Sequence, residues 1–577
     1  MALGILEPHT AAPVAGTVII QDDVAADTPH SSQLKHGTGS SANVVLNPQP
    51  SDDPNDPLNW SGREKHAILA ILAFGCIVTA CVVGPLLNAG TVEIAMDLNV
   101  SPATIAKMNG YTLLAAGVSG PFAAVCANKL GKRPVYLFSS TMALVGCIIG
   151  EAAKTYRTLV TARAIQGLSC SAYESIVISS VGDLFFVHER SPRVAIIMFM
   201  LTAVNNGVSI IAGPITAELG WTYNFHILLP FTALQLILLF LFCPETTYNR
   251  SAVYDADITA SDEDVHALGD VEEKDRRSGQ YARENDGTQP SQAEKAEKSL
   301  HFETIPTQTS IQRPRKTFVQ RLALYSTNST SEPAWKMLLA CPAIMLNVGA
   351  AYSIATSGLI ITWSVALSVI AAVLWSVPPY SLTAAGVGYV SVGPLIGGCL
   401  GALVYGWLSD PFIKRMAARN GGVYEPEMKL PIVLLGLAPA IGGLVGFGYA
   451  NKHHDSIYLI SFTWALALFG LTILVAVPTA YALDAFRAHS VEIFIMNMTF
   501  KNLFFYGLVN YVVDWYMDQG VVNMFGVMAG LTVALTLTTL PMYVFGKRYR
   551  NFWQHHNLLV KFGLRDEVNR IDSEPVR

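Results

Sequence analysis

The stretch MLLACPAIMLNVGAAYSIATSGLIITWSVALSVIAAVLWSV, Met337 to Val377, decides how this chain folds. It carries no Asp, Glu, Lys or Arg, and it admits two readings: one long tilted membrane-crossing helix, or two short ones. A bilayer core about 30 Å thick takes roughly 20 apolar residues per crossing. Six such runs precede it, near 67–89, 105–127, 134–153, 157–181, 194–217 and 225–244, and five follow, near 385–409, 430–450, 456–480, 491–513 and 521–545. Charge placement chooses between the readings. With one crossing and a cytosolic N-terminus, the inside loops receive Lys129, Lys132, Arg133, Arg190, Arg193, Lys414, Arg415, Arg419, Lys429, Arg487, Lys547, Arg548 and Arg550. The outside receives only Lys107, Lys154, Arg157 and Lys452, the asymmetry that polytopic proteins show. A second crossing would invert every later loop and send the 414–429 and 547–550 clusters outside. The stretch therefore counts as one crossing, over 342–375.

The fold class that follows is an all-α membrane protein of twelve transmembrane helices in two six-helix bundles. Its parts are a disordered cytosolic tail (1–65), a first bundle (66–247), a mostly disordered cytosolic linker (248–336), a second bundle (337–546) and a cytosolic tail (547–577). Composition agrees: 51% of the residues are hydrophobic and 14% charged, against roughly 25% charged in a soluble domain. The tail and the linker, polar and poor in aromatics, lack the apolar surface to fold alone. A net charge of -5 with dispersed Lys and Arg excludes nucleic acid as a partner. The eight cysteines fall in or beside apolar runs, which points to neither a disulfide framework nor a metal cage. No cofactor is implied.

Two stretches recur at matching places. The end of the second run and its loop read AVCANKLGKRP (124–134), and the place after the eighth reads GWLSDPFIKR (406–415), with Asn128 and Asp410 equivalent. The fourth and tenth runs end in GDLFFVHER, with Asp183, and LDAFRAHSVE, with Asp484. Duplication of a six-helix unit, with a pseudo-twofold axis between the copies, accounts for both.

With these strings in view the sequence resembles the major facilitator superfamily, and within it the fungal drug:proton-antiporter-like group. Lys129, Gly131, Lys132 and Arg133 fit that family's G-x-x-x-D-R-x-G-R-R loop, while Ala124 replaces its Gly and Asn128 its Asp; the second half keeps Gly406 and Asp410. Arg163-Ala-Ile-Gln166-Gly167 resembles its R-x-x-Q-G motif, which the resemblance associates with proton coupling. Gly207 and Gly213-Pro214 resemble the antiporter motif, at a longer spacing. The strings DPLNWS, DLFFVHER, CPETTYNR and NGGVYEPEMKLP resemble a subgroup that includes polyamine and amino-alcohol carriers.

Ionisable groups at membrane depth are costly, so each is a functional candidate. Arg163 and Glu174 are eleven residues apart on the fourth helix, about three turns, and share a face. Glu174 is the candidate proton and cation site, with Arg163 expected to modulate it as the helix moves. Lys501 on the eleventh helix and Asn205 on the fifth are further candidates, as substrate contacts or as structural ties. Gly213-Pro214 is expected to bend the fifth helix. Tyr173, Tyr352, Trp363 and Trp464 are able to stack on an organic solute. Asn99, in Asn-Val-Ser of the first outside loop, is the expected glycosylation site. Lys316–Tyr325 is expected to form an amphipathic helix on the inner leaflet, with Phe318, Leu322 and Tyr325 opposite Arg321.

The function expected is secondary active transport: proton-coupled efflux of a small organic solute by a monomer in the plasma membrane, with proton-coupled uptake of polyamine-like cations as the alternative. A receptor or sensor on a carrier fold would call for a longer signalling loop or tail. An enzyme would need a nucleophile or paired carboxylates at membrane depth, which the sequence does not supply.

Overall fold

The computed structural model describes residues 4–8, 14, 16–19, 53–186, 189–190, 193–194, 196–197, 200–248, 317–323, 333–486 and 489–564. Expectations for the rest of the linker and for the last thirteen residues lie outside them.

Helix α1 (Gly62–Gly75) starts at Ser61, whose hydroxyl accepts from the Glu64 N–H, and continues as a π-helix, Cys76–Cys81. After it come α2 (Pro102–Leu130), α3 (Lys132–Glu151), α4 (Tyr156–Ser175, extended by Val177–Leu184), α5 (Asn205–Leu219) and α6 (Tyr223–Phe242). The second set is α7 (Val348–Trp375), α8 (Ala384–Val390 running into Val392–Arg419), α9 (Val433–Lys452) and α10 (Ile457–Ala485). The run Ser490–Leu537 breaks at Gly520, φ 75°, which divides α11 from α12. Nine helical runs among the described residues are long and apolar enough to cross a membrane. The ninth holds both α11 and α12; α4 and α5 fall outside the nine, α5 for its length and α4 because its buried face is polar. The fold is an all-α membrane fold of two six-helix bundles. Ile237, Phe240 and Leu241 on α6 and Leu403 and Trp407 on α8 remain exposed, where lipid would cover them.

Met337–Val377 resolves into one crossing with a shorter element before it. A short helix, Ala334–Ala343, ends at Pro342 and a 3-10 turn. Asn347 then caps α7, its side chain accepting from the N–H groups of Gly349 and Ala350 at 2.9 and 3.1 Å. The crossing thus begins at Val348 rather than 342.

Gly131 separates α2 from α3 at φ 101°, a conformation that only glycine adopts without strain. The first N–H groups of α3 are answered from a distance: Glu245, after α6, accepts from the backbone N–H of Lys132 at 3.0 Å and of Arg133 at 3.1 Å. Inside the second bundle, Trp375, Phe447 and Trp464 form an aromatic cluster with ring centroids 5.6 to 6.1 Å apart. A Cβ on Gly397 would lie 2.0 Å from the Ala465 carbonyl oxygen, so α8 and α10 touch backbone to backbone.

Two segments expected to be disordered are partly folded. Ile5 is fully buried against Ile413, Tyr424 and Met428 of the second bundle. Glu7 pairs with Lys547 at 2.6 Å, and Thr17 donates to Glu425 at 2.8 Å. Strand β1 (Val18–Ile19) pairs antiparallel with β2 (Val423–Tyr424). The polar composition of the tail conceals apolar anchors, Ile5 and Val14 among them, and a short extended stretch with a strand edge to join. In the linker, Phe318–Arg321 is a four-residue helix, and Arg321 does not face away from the protein. It pairs with Glu64 at 2.5 Å and lies 4.3 Å over the Trp60 ring, while Arg133 donates to the carbonyls of Leu322 and Ala323. The expected inner-leaflet helix is instead clamped to the first bundle, because Glu64 answers the Arg321 charge and Arg133 answers the backbone carbonyls that follow it, better partners than headgroups. Tyr325 lies outside the described residues.

Candidate functional site

Helix α4 starts at Thr155, whose hydroxyl accepts from the Thr158 N–H, and buries one polar side chain after another: Arg163, Gln166, Ser169, Ser171, Glu174 and Ser175. So many polar groups inside a membrane helix make its buried face the candidate for a functional surface.

Glu174 is buried where the bundles meet. Lys501 of α11 reaches it with Nζ 3.0 Å from Oε1, and Asn502 donates through Nδ2 to Oε2 at 2.9 Å. Both carboxylate oxygens are therefore engaged by the opposite bundle. Beside the pair, Thr499 Oγ1 and Asn502 Oδ1 are buried without a hydrogen-bond partner, which leaves bonding capacity for a solute. Asn502 had no signal of its own in the sequence beyond adjacency to Lys501.

Arg163 does not act on Glu174. Eleven residues along a helix are about 16 Å, and the Arg163 guanidinium is directed at α1 instead. Nη1 donates to the Val83 carbonyl at 2.5 Å and to Gln166 Oε1 at 3.1 Å; Nη2 donates to the Gly84 carbonyl at 2.9 Å and to Asn109 at 3.3 Å. Gln166 in turn donates to Cys147 Sγ at 3.4 Å. Asn205 reaches the same break in α1: a Cβ on Gly84 would lie 3.6 Å from its Oδ1. The structure thus divides the candidates into two groups, Glu174 with Lys501, and Arg163 with Gln166 and Asn205.

The loop residues form a matched set at one end of the bundles, here called the basic end. Lys132 pairs with Asp183 at 2.5 Å and donates to Ser179 at 2.7 Å; in the second bundle Lys429 pairs with Asp484 at 2.5 Å. Tyr424 also donates to Asp484, at 2.6 Å, and burial, with the Asp484 charge behind it, pushes the phenol well above its usual range, so it remains a neutral donor. Neither ion pair uses Asn128, exposed at the end of α2, or Asp410, exposed within α8, which continues to Arg419; Lys129 stands beside Asn128. Gly406 has open space around it. Replacing the family's aspartate by Asn128 therefore removes nothing from these two pairs.

Gly213 lies at a crossing of the bundles. A Cβ there would sit 2.4 Å from the Ala384 carbonyl of α8, and one on Gly388 2.3 Å from the Ser209 carbonyl of α5. Pro214 lies within a continuous α5, so close approach, more than a bend, explains the Gly-Pro pair. Of the aromatic candidates, Tyr173 is bound to Ser140 and Gln235, Trp464 is packed in the second bundle, and Tyr352 meets Thr539 at 2.7 Å. Trp363 stands edge-on to Phe504 with its Nε1 unpartnered. Asn99 is exposed, at φ 50°.

A protein of Schizosaccharomyces pombe named as an uncharacterized MFS-type transporter is 25% identical over 97% of this chain and 96% of its own length. The Candida albicans MFS antiporter QDR3 is 25% identical over 37% of this chain and 30% of its own. Among solved structures, the proton:xylose symporter XylE bound to 6-bromo-6-deoxy-D-glucose aligns over 86% of this chain and 100% of its own, with a TM-score of 0.53 and 11% identity, a likeness of fold alone. The Major Facilitator Superfamily model matches residues 69–504, which run from α1 into α11 and include both Glu174 and Lys501 of the seam; the chain belongs to that family, as a multi-pass membrane transporter of small solutes and not an enzyme.

Proposed function

We propose that the protein exports a small organic compound in exchange for protons, as a monomer in the plasma membrane, with the basic end, the linker and both termini in the cytosol. The bundle boundaries 66–247 and 337–546 belong to this reading.

The observation that carries it is the buried contact of Glu174 with Lys501 across the seam. Alternating access rocks one bundle against the other around a fixed site, so a tie at that site must change as the bundles move. A buried ion pair that loses one charge costs about 3–5 kcal/mol. Protonation of Glu174 removes the attraction at the carboxylate and releases the second bundle; loss of the proton restores it. Proton occupancy and bundle position are then linked at one group. The antiporter name of the Candida albicans relative supports exchange, and the excess of Lys and Arg at the basic end supports the orientation.

The experiment has two steps. Compounds inside and outside cells with and without the protein are compared to find the solute. Its flux is then followed in inside-out vesicles. Antiport predicts accumulation when the lumen is acidic, and accumulation only with acid on the outer face would sink it. One feature favours uptake of polyamine-like cations instead: Glu174 already holds a primary ammonium, the group such a solute would present. That reading predicts accumulation by right-side-out vesicles in an acidic medium.

A further inference from the structure

Helix α1 is irregular beyond Cys81: the residues from Gly84 to Gly90 form turns, with Pro85 among them. The Asn88 N–H bonds back to the Pro85 carbonyl, so the carbonyls of Val83 and Gly84 are left for the Arg163 guanidinium. Arg163 is fully buried, and no carboxylate among the described residues pairs with it. Its charge is met only by dipoles: two backbone carbonyls, Gln166 and Asn109. A buried cation held this way fixes the position of whatever supplies the carbonyls, because each acceptor withdrawn leaves it less solvated.

From that fixed point a chain of side-chain hydrogen bonds runs in one direction. Arg163 donates to Asn109 Oδ1, Asn109 Nδ2 donates to Asn88 Oδ1 at 2.9 Å, and Asn88 Nδ2 donates to Ser368 Oγ at 3.0 Å. The last step crosses from the first bundle to α7 of the second. Five residues beyond Asn88, Glu93 accepts from the Ala384 N–H of α8 at 3.0 Å, a second crossing from the same stretch. Asn88 and Asn109 are both buried, where the alternative to a hydrogen bond is an unsatisfied amide.

We infer that Asn109, Asn88 and Ser368 are positioning residues that latch the bundles together at the end opposite the basic end, with Arg163 as the anchor that holds the broken end of α1 in reach of α7. The inference rests on the chain's working as an alternating-access carrier. It assigns Arg163 to the closure of that end and leaves Glu174 to the seam. Each amide orients the next, so removal of Asn109 is felt at Ser368, although the two do not touch.

Hydrogen–deuterium exchange of the full-length protein in nanodiscs tests this without solute or proton gradient, so its outcome is independent of the antiport reading. Asn88→Ala, Asn109→Ala and Ser368→Ala should each raise exchange about threefold to tenfold in both 84–91 and 383–391, the loss of one net hydrogen bond. Exchange in 129–136 should not rise, and Ser368→Thr, which keeps the hydroxyl, should match the parent. Asn88→Ala with Asn109→Ala should open the end no further than either alone. A local packing role predicts that Asn109→Ala loosens α2 and leaves 383–391 as in the parent; that result, or additive effects in the double variant, overturns the inference. Thermal unfolding of each variant separates latch opening from a folding defect, since global loosening raises exchange in 129–136 as well and counts against a latch.

Discussion

Asp183 and Asp484, 301 positions apart by their numbers, end α4 and α10 and do the same thing in each bundle: each accepts one lysine ammonium at 2.5 Å. Lys132 is the first residue of α3, and Lys429 lies in the turn that leads into α9. The duplicated unit therefore retains an ion pair that fastens its third helix to the end of its fourth, whatever stands at positions 128 and 410.

Asp183→Asn and Asp484→Asn should each destabilise their own bundle by about 1.5–3 kcal/mol, the range for a hydrogen bond to a charged group. Exchanging the partners, Lys132→Asp together with Asp183→Lys, should recover most of the loss. Thermal unfolding in detergent measures both, and a charge-reversed protein no more stable than the single variant would argue against the pair.

Glu174→Gln should leave the protein folded and delivered to its membrane, because the amide is nearly isosteric and still accepts from Lys501. Proton-driven accumulation should be lost, while passive exchange of solute continues. Flux above about half of the parent value, per amount of protein, would remove Glu174 from the coupling step. Lys501→Ala should cost about 3–5 kcal/mol by leaving the carboxylate unanswered, and much less in a Glu174→Gln background.

Asn99 should be the one glycosylated sequon, since it is exposed and follows the short helix Thr91–Asp97 at the end opposite Lys132 and Lys429. Asn99→Gln should abolish any glycosidase-sensitive shift on a gel; a shift that persists contradicts the proposed orientation.

Residues 255–310 should be dispensable for transport, whereas removal of 316–325 should impair it, because Arg321 and the carbonyls of Leu322 and Ala323 are held by Glu64 and Arg133. Transport assays of the two deletions decide this. Full activity without 316–325 would reduce the clamp to a bystander.

Much of the architecture was legible because the bilayer imposes a length on each crossing, so that apolar runs can be counted along the chain. Met337–Val377 shows the limit: its uniform apolarity hid the boundary that Pro342 and Asn347 set, the one by removing a hydrogen bond and the other by supplying two. Glu174 and Lys501 each stood out as ionisable residues at membrane depth, yet nothing in a linear sequence says that residues 327 positions apart will meet. Arg163 illustrates a different gap. Spacing gives the face of a helix, but it does not say that the carbonyls freed by an irregular α1 will outcompete a carboxylate about 16 Å away.

The seat of Ile5 and of strand Val18–Ile19 on the second bundle gives the protein an exchanged piece. If the gene were split within the linker and the two fragments produced separately, the later fragment would lack the strand that pairs with Val423–Tyr424. It would expose the Val423–Tyr424 edge and the apolar pit that Ile5 fills, both invitations to self-association. Co-production should therefore rescue the later fragment more than the earlier one, and a fusion partner placed ahead of residue 4 should disturb the bundle farthest from it in sequence.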